Sequence, residues 1–220
     1  MSTADSPPSP APSPPESASA ALVDQLEASF REQLRRAIGV SLDPSLDDAA
    51  LAYVDHYLSL VRDEQREAIV SLVAAGAGAW FGEYLRRQVG ALWIGDGEEP
   101  RRLRLLLEPQ FVHLSPVDMA YEAIFSGSPA PDDPRLPTGA ALDGAFHLRE
   151  RAEGDERSAH DWIHERLAEA APLPEDQYYS LTGRFETLTL ILELLADRDR
   201  ARGREPTRYH LNDYVAALSE

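Results

Sequence analysis

The stretch AIVSLVAAGAGAWFG, residues 68–82, contains no charged side chain and continues into EYLRRQ, residues 83–88. A run of this kind predicts a helix that is apolar on nearly all sides and therefore lies at the centre of the fold. We expect the helix to begin near Asp63 and to stop at Gly90. The uncharged run is shorter than the roughly eighteen apolar residues that indicate a membrane span, so the sequence predicts a packing helix instead.

Small residues share one face of this predicted helix. Ala74, Gly78 and Gly82 lie four residues apart, and their lack of side-chain bulk lets another backbone approach closely. Each helical glycine costs roughly 1 kcal/mol relative to alanine, so we expect tight packing to compensate. Gly76, Gly78 and Gly82 miss the spacing of a dinucleotide-binding loop by one residue, and no strand precedes them, which excludes that function.

Two amphipathic helices are predicted before the central helix. The first covers residues 22–38, ends at Gly39, and should bury Leu22, Leu26, Phe30, Leu34 and Ile38. The second is expected to begin at a Ser45 cap and to bury Leu46, Ala50, Tyr53, Tyr57 and Val61. Residues 1–21 contain six prolines and six serines, a composition that predicts a disordered tail.

The pattern changes after the central helix. Residues 91–94 and 101–108 flank a Gly-Asp-Gly turn and predict a β-hairpin, to which residues 111–114 add a third strand. Ser115 and Pro116 then predict the start of a short helix that ends near residue 125.

The C-terminal half is predicted to be mostly helical. Helices are expected over residues 142–151, 158–171 and 175–201, and the last should bury Leu181, Phe185, Leu188, Leu192 and Leu195. Residues 209–218 should dock on this bundle as a short element. Prolines and glycines between residues 126 and 139 predict a loop or boundary. The sequence therefore predicts a helix-rich α+β fold, with the tail followed by an α+β domain at 22–127 and a helical part at 140–220 that packs on it.

Acidic residues dominate the charge of the chain. There are 38 acidic residues against 21 basic ones, all arginine, which gives a formal charge of −17. Such a surface repels nucleic acid and anionic lipid, so we expect another protein, preferably a basic one, as the partner. The absence of cysteine excludes disulfides, thiolate metal sites and a cysteine nucleophile. No basic segment followed by an apolar run opens the chain, so cytoplasmic localisation is expected.

The first half of the chain concentrates acids that form either a docking face for a basic protein or a merely solubilising surface. These acids are Asp43, Asp47, Asp48, Asp55, Asp63, Glu64 and Glu67.

Glu83 is the one carboxylate at the apolar end of the central helix. It lies next in sequence to aromatic residues such as Trp80 and Tyr84, and apolar surroundings would raise its pKa and suit it to general acid or base catalysis. The alternative is structural, because Arg86 and Arg87 follow three and four residues later and can pair with it along the helix.

A ligand or partner site is predicted around the same helix end and the hairpin. Its members are aromatic or charged: Trp80, Glu83, Tyr84, Arg87, Trp93, Arg102 and Arg104. With Arg101, the last two form a compact basic cluster that can receive a carboxylate or phosphate, or else pair with nearby acids such as Glu98, Glu99 and Glu108.

His160 and His164 are the candidate metal ligands. They lie four residues apart, which on a helix places both imidazoles on one face, as in the first half of a zinc or iron site. The motif His-Glu-x-x-His is not matched, because Asp161 replaces the glutamate and no third ligand follows at a recognisable spacing. The alternative is a pair of exposed histidines on a polar face.

The segment GAWFGEYLRR, residues 78–87, followed by Trp93, resembles a pattern in small bacterial proteins of unknown function. That pattern is Gly-Ala-aromatic-x-Gly-Glu ahead of a tryptophan-bearing strand, and the resemblance covers residues 47–127. It implies an α+β domain in which a glycine-bearing helix leads into a hairpin, and it implies no activity. Trp80 stands where tyrosine is more usual, and nothing from Pro129 onward is covered.

These observations favour a non-enzymatic, acidic, cytoplasmic protein-binding domain without a cofactor, acting as a regulator or an immunity-type inhibitor of a basic toxin. One alternative is a metal-dependent hydrolase that uses His160, His164 and a distant carboxylate such as Glu83. Another is a small-ligand-binding domain around Trp80 and Trp93.

Overall fold

The protein combines eight helices with a four-stranded antiparallel sheet in the part of the chain that the structure describes. The structure is a computed structural model that describes residues 15–42, 49–139, 141–148, 158–169 and 173–218. The helices are α1 (Pro15–Ile38), α2 (Ala49–Val61), α3 (Glu67–Val89), α4 (Pro116–Phe125), α5 (Ala159–Glu169), α6 (Glu175–Tyr179), α7 (Leu181–Ala201) and α8 (Leu211–Leu218). The strands are β1 (Ala91–Ile94), β2 (Arg104–Leu107), β3 (Val112–Leu114) and β4 (His147–Leu148). The predicted helix-rich α+β class is confirmed.

Helix α3 is the central element, as its apolar sequence predicted. Every residue from 73 to 85 is buried. A side-chain carbon at Gly78 would lie 2.7 Å from the backbone nitrogen of Val117 and 2.8 Å from the carbonyl oxygen of Pro116. The glycine therefore permits the close approach of α4 that the small-residue face predicted. Helix α3 is also long and apolar enough to cross a membrane, but 78% of its most apolar 18-residue window is buried inside the protein.

Helix α1 begins earlier than its sequence predicted. Residues 15–21 were expected in a disordered tail but are helical, whereas residues 1–14 lie outside the described part of the chain. Ala18 packs against Gly97 in the loop after β1, so a side chain at Gly97 would collide with it. Ala20 and Val23 line a cavity together with residues of β1. These tertiary contacts order a segment whose composition alone does not predict a helix.

The sheet has the order β1-β2-β3-β4, with every neighbouring pair antiparallel. The predicted hairpin and third strand are confirmed, except that the second arm begins at Arg104 and not at Arg101, because Pro100–Arg102 form a short 3-10 helix. Strand β4 is an addition that the sequence pattern did not reveal. One face joins the main core through Ala91, Trp93, Leu105, Leu107, Val112 and Leu114. On the other side, Leu106 and Phe111 form a second cluster with the C-terminal segment.

The C-terminal helix docks on the outer face of the sheet. The Tyr214 hydroxyl accepts a hydrogen bond from the backbone N–H of Val112 at 3.0 Å and donates toward the carbonyl of Leu107 at 2.6 Å. Its ring stacks on Phe111 with centroids 4.1 Å apart. Burial of the phenol raises the pKa of Tyr214. The expectation that the last residues dock is correct, although they contact the sheet and not a helical bundle.

The buried face of α2 differs from the prediction. Ala50, Leu51, Val54 and Leu58 are buried, while Tyr53 is 46% exposed. The helix is therefore rotated about its axis relative to the expected face. The predicted Ser45 cap and Leu46 lie outside the described residues.

Two expectations for the C-terminal half were wrong. No helix forms over residues 142–148, because residues 141–146 form an irregular loop that leads into β4; residues 149–151 are outside the described part. The helix expected over 175–201 is divided into α6 and α7 at Ser180, whose backbone is extended with φ −65° and ψ 153°. Within α7 the predicted seam is buried at Leu181, Leu188 and Leu195.

Candidate functional site

Glu83 lies in an ion pair at the junction of α3 and β1. Its carboxylate accepts hydrogen bonds at 2.9 Å from Nε and Nη2 of Arg86 and from Nε1 of Trp93, and Arg87 approaches to 3.6 Å. Burial acts to raise the pKa of Glu83, but the bonds from Arg86 and Trp93 and the charges of both arginines outweigh it and hold that pKa below its usual value. A carboxylate held ionised by three donors is poorly suited to donate a proton. The structural alternative is the one that this geometry supports.

Some residues of the predicted ligand site border a small cavity, and others are buried in the core. Trp93 and Glu83 border a cavity of about 270 Å³ between α1, α3 and β1, together with Arg86 and Asp24. Trp80 and Tyr84 lie elsewhere, buried in the core with ring centroids 5.6 Å apart. Tyr84 also meets Phe185 of α7 edge to face at 5.1 Å. Of the two tryptophans that were expected to form one ligand site, only Trp93 lines this cavity, and ligand binding there stays a prediction.

The predicted basic cluster is also divided. Arg102 points to the surface and pairs with Asp96 at 2.9 Å, instead of with Glu98 or Glu99. Arg104 donates from Nη1 to the Ser115 hydroxyl at 3.2 Å and to backbone carbonyls. The third member, Arg101, turns inward to Asp118. Glu108 pairs with Arg208 at 2.8 Å and so anchors the chain ahead of α8.

His160 and His164 share an exposed face of α5, as their spacing predicted. Their ring centroids are 6.5 Å apart. The described residues contain no group of three histidines, cysteines or carboxylates arranged to hold a metal ion. The structure therefore supplies no third ligand for this pair from the part of the chain that it describes, and metal binding stays a prediction.

Two buried acids on α4 form a polar cluster that the sequence analysis missed. Asp118 and Glu122 are one helical turn apart, and each has less than a tenth of its surface exposed. Arg101 Nε donates to Asp118 Oδ1 at 2.9 Å, and the backbone N–H of Asp143 donates to Oδ2 at 3.0 Å. A side chain at Gly144 would collide with Glu122. Two acids at a four-residue spacing in an otherwise apolar helix were the available signal.

Arg184 of α7 supplies the countercharge for Glu122. The two side chains form a buried ion pair, and Arg184 Nη1 donates to the Tyr178 hydroxyl at 2.8 Å. The guanidinium carbon lies 4.3 Å from the ring centre of Tyr178 and 5.1 Å from that of Tyr179. Burial raises the pKa of Glu122, and the charge of Arg184 only partly offsets this effect. The cluster therefore joins α4, α6 and α7 through one charged pair.

A histidine pair connects β4 to the rest of the sheet. His113 of β3 faces His147 of β4, with ring centroids 4.7 Å apart and planes within 13°. His147 Nε2 hydrogen-bonds the Asp143 carboxylate at 2.9 Å. Burial, then the neighbouring His147 and Arg104, lower the pKa of His113 to about 4, although Asp143 acts in the opposite direction. His113 is therefore neutral at physiological pH.

Of the acids expected to form a docking face in the first half, three of the four that the structure describes have partners within the protein. Asp55 turns inward and accepts hydrogen bonds from the backbone N–H groups of Leu181 and Thr182 at 2.8 and 3.0 Å. Glu64 pairs with Arg66 and Glu67 accepts from Ser71. Asp63 is exposed, and Asp43, Asp47 and Asp48 lie outside the described residues.

Helix α7 presents an acidic stripe that the sequence analysis did not single out. Its members are exposed and follow one another at four, three and four residues: Glu186, Leu190, Glu193 and Asp197. This spacing places them on one face of the helix. Leu190 is 38% exposed, so an apolar side chain lies within the acidic face. The stripe lies on the side of α7 away from the buried seam, and the same sequence periodicity contains both.

Comparisons with protein-family models, with curated proteins and with solved structures found no match for the chain. The resemblance to small bacterial proteins of unknown function therefore stays a prediction.

Proposed function

We propose that the protein is a non-enzymatic docking domain that binds a basic protein through the acidic stripe of α7. The observation that carries this proposal is the exposed face formed by Glu186, Leu190, Glu193 and Asp197. A net charge of −17 attracts a basic partner over distance, and a local acidic face orients it. Leu190 supplies an apolar side chain inside the charged face, and its burial against a partner would add a hydrophobic contribution to the charge attraction.

The placement of other polar groups supports a docking role over catalysis. The carboxylate of Glu83, a candidate acid or base, accepts hydrogen bonds from Arg86 and Trp93. The carboxylate of Glu122 forms a buried ion pair with Arg184. Binding of this kind fits a regulator, or an immunity-type inhibitor that covers a basic toxin.

The proposal is tested by comparing two double variants with the same change in net charge. Glu186→Gln with Glu193→Gln neutralises the stripe, whereas Asp132→Asn with Glu205→Gln neutralises exposed acids elsewhere. The immobilised protein captures its partner from a lysate of the source organism, the partner is identified by mass spectrometry, and the Kd of each variant is then measured. We expect the stripe variant to lose at least roughly tenfold in affinity and the control variant to lose much less.

Leu190→Ala gives a second measurement that does not change the charge. It should weaken the same complex, because the apolar contact within the stripe is lost. Equal losses in both double variants would show that only total charge matters, and an unchanged Kd in the stripe variant would place the binding surface elsewhere. Either result overturns the proposal.

A further inference from the structure

Helix α8 and the sheet face beneath it form a hydrophobic cluster that is separate from the main core of the described residues. Its buried members are Tyr214 of α8, Leu106 of β2 and Phe111, which precedes β3. Partly buried residues surround them: Leu92, Ile94, Tyr209 and Leu211. The outer face of the sheet therefore binds α8 through a small set of contacts of its own.

The Tyr214 side chain gives this contact its specificity. Of the α8 side chains that the structure describes, only that of Tyr214 is buried. Its hydroxyl lies 2.6, 2.9 and 3.2 Å from the carbonyl oxygens of Leu107, Val112 and Gln110, and 3.0 Å from the backbone N–H of Val112. Because these partners are backbone groups of the sheet and its turn, the face offers the same contacts to any copy of α8.

The segment that joins α7 to α8 can open at its start. Gly203 forms a turn at φ +65°, and glycine adopts other backbone conformations without steric cost. Pro206 restrains Glu205 to extended conformations, and residues 203–207 can span roughly 17 Å when extended. Residues 204–210 form neither helix nor strand. Opening at this hinge therefore disrupts no regular element.

The end of the linker moves together with α8. Arg208 pairs with Glu108 at 2.8 Å, and the backbone N–H of Tyr209 donates to the Glu108 carbonyl at 2.8 Å. The Arg208 side chain is 69% exposed, so its ion pair is weak. A helix of eight residues is too short to be stable alone in water, so α8 needs a sheet face, either that of its own chain or that of another.

We propose that the outer face of the sheet binds α8 of a second copy of the chain, so that two copies exchange this helix and form a dimer. The contacts of α8 are the same in the monomer and the dimer, and only the hinge at residues 203–207 changes. Exchange of an identical element therefore requires no new complementary surface. The dimer is separate from the proposed docking function, because the acidic stripe belongs to α7, which stays in place.

The charge of the chain sets the salt dependence of the dimer. Two copies with a formal charge of −17 each repel one another, and added salt screens that repulsion. The dimer fraction should therefore rise with salt, whereas binding of a basic partner to the stripe should weaken. The opposite responses make failure of this proposal distinguishable from failure of the docking proposal.

Sedimentation velocity of the full chain measures the dimer directly. Between about 10 μM and on the order of 1 mM, monomers should convert to dimers. Tyr214→Ala should raise the dimer Kd at least roughly tenfold, because α8 without the tyrosine stays on neither face. Tyr53→Ala is the matched control, since Tyr53 is 46% exposed on α2, and it should leave the dimer Kd unchanged.

Cross-linking identifies the exchange, and the absence of cysteine from the chain makes it specific. Glu108→Cys is placed in one copy and Arg208→Cys in the other, and the copies are mixed until sedimentation no longer changes. A short bis-maleimide should then link the two copies on a denaturing gel, because exchange brings position 208 of one chain beside position 108 of the other. Each variant alone is the control and should give much less linked product. Circular dichroism checks the fold of every variant.

Three results would overturn the proposal. The first is a chain that stays monomeric up to on the order of 1 mM, at low and at high salt. The second is a dimer whose mixed cysteine copies give no more linked product than either copy alone, which would place the dimer contact on another surface. The third is an unchanged dimer Kd in folded Tyr214→Ala. If that variant does not fold, the cross-linking experiment still decides, since it keeps Tyr214.

Discussion

Glu83 shows how a residue that suggests catalysis in the sequence serves the fold in three dimensions. Its carboxylate receives two bonds from Arg86 and one from Trp93, each 2.9 Å long. The spacing of Glu83 and Arg86 along the helix predicted the arginine contact. The bond from Trp93 depends on how β1 returns beside α3, and that geometry was not visible in the sequence.

Replacing Glu83 with glutamine should destabilise the protein. The variant loses the charge-assisted bonds to Arg86 and should lower the free energy of unfolding at pH 7 by about 1–3 kcal/mol, as measured by urea denaturation. Because the pKa of Glu83 is lowered in the folded state, the stabilisation is present above its unfolded value near 4.5 and is lost as pH falls below it. The difference between the two proteins should therefore shrink toward pH 3.

If Glu83→Gln were more stable than the wild type at pH 7, this account would be wrong. A gain in stability of that kind is typical when the replaced carboxylate is held in a strained arrangement for function. Glu193→Gln, at an exposed site, is the matched control and should leave the free energy of unfolding nearly unchanged.

His113 predicts a second pH dependence with its own window. Its pKa of about 4 in the folded protein lies below the unfolded value of 6.5, so the unfolded chain binds the proton first. The stabilisation is complete above pH 6.5 and is lost as pH falls toward 4. After allowance for the partial exposure of the ring, the loss should be on the order of 1–2 kcal/mol.

The measurement is urea denaturation between pH 7.5 and pH 4.5 for the wild type and for His113→Gln. Asp143 and Arg104 also face the pair, so the difference between the two proteins isolates the contribution of His113. His160→Gln with His164→Gln, at exposed positions, should keep the wild-type slope. An unchanged slope in His113→Gln would show that the histidine is charged in the folded protein.

At the scale of elements, α7 depends on a residue that lies far from it in the sequence. Asp55 of α2 accepts bonds from the N–H groups of Leu181 and Thr182, and Ser180 accepts from that of Gly183 at 3.0 Å. These residues satisfy three of the four free N–H groups at the start of the helix. Burial raises the pKa of Asp55, although the bonds from Thr182 and Leu181 oppose the shift.

Asp55→Ala should therefore lower the free energy of unfolding by about 1–2 kcal/mol, the usual range for loss of a helix cap. Amide hydrogen exchange should also accelerate at Leu181 and Thr182, more than at Val73 in the middle of α3. Exchange that is unchanged at these amides would contradict the capping role.

The elements that the sequence predicted well have strong local patterns. The apolar run of α3, the turn between β1 and β2, and Ser115 with Pro116 at the start of α4 each determine structure within a short window. The elements it missed depend on distant partners. The early part of α1 packs on Gly97, the start of α7 after Ser180 is capped by Asp55, and β4 consists of only two residues beside β3.

The candidate site was predictable only in part for the same reason. The contact between Glu83 and Arg86 and the placement of His160 beside His164 each depend on a single helix, and the structure shows both. The position of Trp93, but not Trp80, beside the cavity and the burial of Glu122 against Arg184 follow from packing between elements. No single-helix pattern contains that information.

At the scale of the whole molecule, the acidic residues fall into two groups, one buried and one exposed. Buried acids such as Asp118 and Glu122 pair internally with Arg101 and Arg184. Exposed acids remain at the surface, and on α7 they surround Leu190. An excess of negative charge lowers stability by self-repulsion, and the docking role that we propose would give this surface a functional reason.

Carboxylate footprinting of the complex tests the docking claim most directly. The protein is labelled with a carbodiimide and an amine, with and without its captured basic partner, and the modification of each acid is measured by mass spectrometry. We predict that the partner protects Glu186 and Glu193 several-fold and leaves Asp132 and Glu205 labelled as before. Protection of the latter pair, with Glu186 and Glu193 still fully labelled in the complex, would contradict the account.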